Sequence, residues 1–159
     1  MAVNAYLIIK GRPGPSTSKK DAIDILSFSF GASQTSVIGA GSSGGEARSG
    51  RANVGDVTIM KVVDKVSPLL FDDCVTGNYL TEVDVIYDKP MGKVQEDYYK
   101  IHMENAMITS IQHSGSSENP MESISFAFSK IKVSYAPEEG GKLGGFIDKG
   151  FDVLKLQPW

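Results

Sequence analysis

Asp64–Gly77, DKVSPLLFDDCVTG, is the one stretch of the chain that reads as a well-marked helix, while the sequence around it alternates as β-strand does. Ser67 is a suitable N-cap, Pro68 falls at the first helical position where its missing N–H costs nothing, and Gly77 supplies the left-handed residue that closes the last turn. Val66 stands where a hydrophobic staple to Phe71 would begin. Leu70, Phe71, Cys74 and Val75 share one stripe at helical spacing, with Asp72, Asp73 and Thr76 elsewhere. The pattern therefore makes Leu70, Phe71 and Cys74 core and leaves the two acids solvated. So short a helix is not stable alone, and takes its order from a β core that it plugs or flanks.

Outward from the helix the chain is strand on both sides. Val57–Val63 precedes it, and Tyr79–Tyr87 follows with Tyr79, Val83, Val85 and Tyr87 on one face and Glu82 and Asp84 on the other. Asp88–Gly92 reads as a turn. Asp97–His113 is long, with Ile101, Met103, Met107 and Ile111 in phase and Lys100, His102, Glu104 and Gln112 opposite; Glu104-Asn105 is where it could break in two. Beyond a turn at Ser114–Pro120, Ile124, Phe126 and Phe128 share one face but Ile131, Val133 and Tyr135 the other, so the inward face switches near Ser129–Lys130. Toward the N-terminus, Ala5–Lys10 is a short buried strand ended by the turn residues Gly11–Ser16. In the next strand, Asp21–Phe30, Ile23 and Ile25 share one face and Leu26, Phe28 and Phe30 the other, a second switch that a bulge or barrel bend would make. Many strands, two face switches and one helix predict a mainly β fold, a β-barrel or two packed sheets sharing strands round corners, with the short α-helix flanking one opening. A doubly wound α/β fold is excluded.

Gly31–Gly55 carries seven glycines and few apolar residues, and is read as a long Gly-rich loop of the functional kind. Its Gly39-Ala40-Gly41-Ser42-Ser43-Gly44 matches G-x-G-x-x-G, but no helical stripe follows and no βαβ unit surrounds it, so a dinucleotide site is not expected. The loop reads instead as reaching outward to a partner, with Arg48 and Arg51 as contacts. Pro137–Gly145 reads as a flexible hinge, and Phe146–Trp159 as an apolar tail that something must cover.

The chain of 159 residues, 41% of them hydrophobic, is expected to form a single domain over residues 1–159. A net charge of −3 offers no basic face for nucleic acid. MAVNAYLIIKG has no basic leader and too short an apolar run for a signal peptide or span, so the expectation is a chain made in the cytoplasm, with no membrane insertion. Cys74 stands alone on the apolar stripe and reads as a buried structural thiol. His102 and His113 are an odd spacing apart, hence on opposite faces of a regular strand, and His102 reads as an exposed strand histidine. His102-Met103-Glu104 lacks the Pro-Cys-x-x-Cys that would make it a zinc deaminase site. No nucleophile elbow, P-loop or calcium loop is present, and neither a catalytic residue, a metal nor a cofactor is expected.

From Ile25–Gln34 (ILSFSFGASQ) through Ile59–Gly77, Leu80–Tyr87, Tyr98–Ile111 and Glu122–Tyr135, the sequence resembles the haemolysin-coregulated protein (Hcp) family, the tube component of bacterial type VI secretion systems. Asp64-Lys65-x-Ser67-Pro68-x-Leu70 is the most specific piece of the resemblance. What it implies is a β-barrel subunit assembling as a hexameric ring. Such rings stack into a tube inside a contractile sheath, beneath a valine-glycine-repeat spike, are expelled without a signal peptide, and hold effector proteins in the lumen. Such a subunit closes a ring by a head-to-tail contact between two different patches. On this reading Gln34, Arg48 and Arg51 meet a neighbouring subunit or ring, and Glu82, Asp84, Lys130 and Lys132 are candidates for the lumen wall. Three other readings are a phage-type or other contractile-injection tail tube, in a different class a carbohydrate-binding β-sandwich using Tyr98-Tyr99 or Trp159 as a platform, and last an enzyme, for which no convergent nucleophile, base or metal set is visible.

Overall fold

The structure, a computed structural model, describes residues 3–37 and 48–159. Along the chain run β1 (Asn4–Ile9), β2 (Ile23–Asp24), β3 (Ser27–Ser29), β4 (Ala32–Val37), β5 (Arg48–Val54), β6 (Val57–Val62), α1 (Ser67–Thr76), β7 (Tyr79–Met91), β8 (Val94–Ser114), β9 (Met121–Ala127), β10 (Lys130–Tyr135), β11 (Glu138–Glu139), β12 (Lys142–Leu143), β13 (Ile147–Asp152) and β14 (Gln157–Pro158). Ten strands join one sheet in the order β14-β13-β10-β8-β7-β1-β2, with β9, β6 and β3 branching from β8. The pairs β4-β5 and β11-β12 stand as separate ribbons.

Both face switches read from the sequence are corners of this sheet. At the first, the Ile25 N–H donates to the Ala5 carbonyl at 3.2 Å, toward β1, and the next N–H, of Leu26, donates to the Met60 carbonyl at 2.8 Å, toward β6. At the second, β8 stays one strand but turns at Asn105, whose φ is +49°. Its first half pairs with β10 and its second with β9. Buried positions change there from Ile101 and Met103 to Ala106 and Ile108, and on the facing chain from Ile124 and Phe126 to Ile131. Ser129, between β9 and β10, holds the corner by donating its N–H and its hydroxyl to the Glu104 carbonyl at 3.1 and 3.0 Å. The expected break at Glu104-Asn105 is thus a kink. The two arms fold over one core that joins Leu7, Val83 and Ile101 from one side to Ile59, Ile124 and Phe126 from the other.

The helix lies where the sequence put it, but it is fastened differently. Ser67 is its first residue rather than its cap; Val66 caps with no side-chain hydrogen bond. The Ser67 hydroxyl instead accepts from Lys61 Nζ at 3.1 Å and the Asp64 N–H at 2.9 Å, and donates to Glu122 Oε1 at 2.9 Å. Lys61 sits on the core face of β6 opposite Glu122 of β9, fully buried, with Nζ 2.6 Å from Glu122 Oε1 and 3.1 Å from Asp64 Oδ2. Glu122 Oε2 lies 2.7 Å from His113 Nε2. A buried charge of this kind persists only when paired and hydrogen-bonded. At the other end Gly77 takes φ +68° and ψ +33°, as expected, a conformation that a Cβ would strain.

Phe71 is a correction, since at 53% exposure it is not core, and Val75 faces out with it. Leu70 is fully buried and Cys74 is half-buried against the core. The inward stripe instead includes Asp73, read as solvated but fully buried. Arg12 grips it through Nε to Oδ2 at 2.9 Å and Nη2 to Oδ1 at 2.7 Å, and Asn78 adds Nδ2 to Oδ1 at 3.0 Å. The Arg12 hydrogen bonds outweigh burial and hold the Asp73 carboxyl below the usual carboxylate range. Periodicity misplaced these residues because an acid with a partner 61 positions away can enter the inner face.

Three segments also differ from their sequence reading. Asp88–Gly92 is not a turn: β7 runs to Met91, and Gly92-Lys93 makes the hairpin with Val94. Gly31–Gly55 is not one loop, because β4 and β5 pair antiparallel from Ala32↔Val54 to Val37↔Arg48; the G-x-G-x-x-G lies outside the described residues. The tail from Phe146, given no secondary structure by the sequence, is strand: β13 extends the sheet beside β10 and β14 pairs back on it.

Two outcomes follow. Leu70→Ala costs about 2–5 kcal/mol in urea unfolding, whereas Phe71→Ala stays within about 0.5 kcal/mol; equal losses would return Phe71 to the core. A depressed Asp73 pKa contributes stability above its unfolded value that is lost as pH falls through the folded one. Arg12→Ala therefore lowers neutral-pH stability and moves acid unfolding, followed by circular dichroism, to higher pH; an unmoved acid limb would contradict the pairing.

Candidate functional surfaces

The four charged residues read as lumen candidates fall on one patch of the sheet, turned away from the core. Glu82 faces Glu104, which faces Lys130; Asp84 faces His102, which faces Lys132. Directly opposed residues on antiparallel strands point to the same side, so the register alone assembles the patch. His102 Nδ1 lies 2.6 Å from Asp84 Oδ1, and its Nε2 3.4 Å from Glu104 Oε1. Burial acts to lower the His102 pKa, but the hydrogen bonds and charges of Asp84 and Glu104 outweigh it and the net shift is upward. Burial pushes the Asp84 carboxyl up, against the hydrogen bond to His102.

Trp159 covers this patch. Its ring stacks on His102 at 6.2 Å and 27°, with Lys132 Nζ 4.2 Å and Lys130 Nζ 5.3 Å from its centroid. The indole lies over Gly150, where an added Cβ would come within 2.9 Å of Trp159 Cε3 and of the Ile131 carbonyl. His102 is thus half-buried rather than exposed. It shares nothing with His113, which belongs to the Glu122 cluster. The sequence placed Glu82, Asp84, Lys130 and Lys132 correctly on polar faces but missed His102, Glu104 and Trp159 as their companions; the odd-even register of β7, β8 and β10 was the signal that joins them.

A second surface is the β4-β5 ribbon. Gln34 faces Ala52 and Arg48 faces Val37, and the Arg51 N–H donates to Thr35 Oγ1 at 3.0 Å. The Arg51 side chain is exposed; that of Arg48 lies outside the described residues. Between the ribbon and β10-β13 runs an open cleft lined by Phe30, Gln34, Val54, Ile131, Val133 and Phe151. A third surface is apolar. Leu69, Phe71 and Val75 stand out from α1, with Tyr79 just beyond it and Leu154 79% exposed.

The family described as "Type VI secretion system effector, Hcp" matches residues 6–135, from within β1 to the end of β10. The chain belongs to the Hcp family. It is 30% identical to Protein hcp1 of Pseudomonas aeruginosa over 107 residues, 65% of this chain and 66% of that protein, so the match spans just under two thirds of the relative's length. Hcp1 from Salmonella typhimurium has the same fold, with a TM-score of 0.81 at 24% identity over the whole of both chains. So does a type six secretion system protein, with a TM-score of 0.89 at 24% identity over 99% of this chain and 100% of that one. Hcp proteins are secretion components rather than enzymes.

The single tryptophan of the chain reports on the patch. Gly150→Ala displaces Trp159, pressing on its ring and on the Ile131 and Trp159 carbonyls, and shifts its fluorescence to the red. Identical emission would contradict the close approach.

Proposed function

We propose that this Hcp chain is a subunit of the type VI secretion tube, six copies closing head to tail into a ring and rings stacking into a conduit that is driven outward with effector proteins inside. The observation that carries the reading is the family match across residues 6–135 together with the fold shared with secretion proteins. In it, β1, the β2-β3 segment, β6, β9, β8 and β7 close round the core as a barrel. The apolar outer face of α1 and the β4-β5 ribbon are unlike surfaces, as a heterologous contact requires. Gln34, Arg48 and Arg51 contact the neighbouring subunit or ring. The spike, the sheath and luminal effectors are the partners of the assembled tube.

A carbohydrate platform needs open aromatic faces. Trp159 packs down on His102, Lys130 and Lys132, and Tyr98 packs on Tyr135 at 6.2 Å with Lys89 over its ring, which disfavours that reading. A contractile-injection tail tube of phage type would share ring and barrel, and differs in which genes its export requires.

Light scattering with negative-stain imaging of the same peak tests the proposal. The expected result is a mass of about six 17.1 kDa chains and ring-shaped particles, and deletion of residues 39–50 leaves a folded chain that assembles poorly. A chain that stays monomeric as concentration rises would overturn it.

A further inference from the structure

We propose that Glu82, His102 and Glu104 form a binding site for one divalent transition cation of the zinc class, with Asp84 orienting the histidine. One ligand atom from each of the three lies within 4.8 Å of the others. They come together by register: Glu82 of β7 stands directly opposite Glu104 of β8, and Asp84 directly opposite His102. Two carboxylates facing each other across a strand pair repel, so this arrangement stores an attraction for a cation.

The histidine is already arranged as a ligand. Asp84 Oδ1 is 2.6 Å from His102 Nδ1, and an ionised carboxylate only accepts, which places the ring proton on Nδ1. Nε2 is turned to Glu104, whose Oε1 at 3.4 Å makes only a long hydrogen bond, so a cation can take the place of the proton between them. A carboxylate behind a ligating imidazole fixes its tautomer and raises its basicity. Zinc binds such donors at about 2.0–2.2 Å, and both glutamates have side-chain torsions free to close the remaining gap, Glu82 being the more exposed of the two.

The neighbouring cations do not take the place of a metal. Lys130 and Lys132 lie over the Trp159 ring, and among the described residues neither forms an ion pair with these acids. Lys10 reaches Glu82 only at 3.6 Å, with both side chains well exposed. One imidazole and two carboxylates suit zinc, cobalt or nickel better than calcium or magnesium, which take oxygen alone.

The test uses the untagged full chain, stripped with chelator and titrated with zinc by calorimetry at mildly alkaline pH, and with cobalt by visible absorption. One equivalent per chain is expected, with cobalt d–d bands. His102→Ala abolishes both signals, and Glu82→Gln and Glu104→Gln weaken binding at least tenfold, about the loss typical of a site partner. Asp84→Asn weakens binding by about 10–100-fold although the ligand set is intact. His113→Ala, which removes the other histidine, leaves binding unchanged. Circular dichroism verifies that each variant is folded; the glutamine exchanges are isosteric and keep the test open if His102→Ala fails to fold. No uptake at millimolar zinc, uptake that survives the glutamine exchanges, or uptake lost in His113→Ala would each overturn the site.

Discussion

The ammonium of Lys61 is fully buried on the core face of β6, and the chain must surround it with acceptors or not fold as it does. Glu122 comes from β9, Asp64 from the approach to α1, and the Ser67 hydroxyl from the first residue of the helix itself. The cluster therefore joins two strands and the helix start at one point. The same requirement explains why the helix begins at Ser67 with no side-chain cap: the hydroxyl that would have capped it is committed to Lys61 and Glu122. At the far end Arg12 and Asn78 hold Asp73, so the short helix is fastened by charge at both ends and by Leu70 between them. Such fastening costs desolvation, which good geometry offsets, and it fixes the helix in one position. With inner positions given to Ser67, Leu70 and Asp73, Leu69, Phe71 and Val75 are turned outward.

Most of the fold was legible because it rests on alternation. The two changes of inward face, at Ile25-Leu26 and near Ser129-Lys130, are visible as an odd-to-even shift of apolar positions, and both are corners where the chain changes hydrogen-bonding partner. Gly77 was legible because a left-handed helix terminus has few alternatives. What escaped were features set by partners distant in sequence. Asp73 is inward because Arg12 is there, and Lys61 reads as a polar strand residue until Glu122 is set opposite it. The Gly-rich stretch read as loop because β4 and β5 carry Ser, Thr, Gln and Arg, a composition suited to a ribbon that pairs only with itself.

The candidate surfaces were partly legible for the same reason. Glu82, Asp84, Lys130 and Lys132 were placed on polar strand faces by parity alone, but parity cannot say that three strands bring those faces together. Trp159, read as part of a tail needing cover, is itself the cover for the lysines and His102. Residues of one sheet face thus pack against each other under Trp159, whereas the outer face of α1 and the β4-β5 ribbon remain turned outward. In the proposed head-to-tail assembly, the outer face of α1 and the β4-β5 ribbon are the two unlike surfaces that meet.

Amide hydrogen exchange compared between dilute and concentrated protein tests that claim most directly. The account predicts that residues 32–37 and 48–54 of the ribbon and the α1 segment gain protection on assembly, while the strand amides beneath the charged patch do not change. Equal exchange in the ribbon and helix at both concentrations, in particles shown to be assembled, would contradict it.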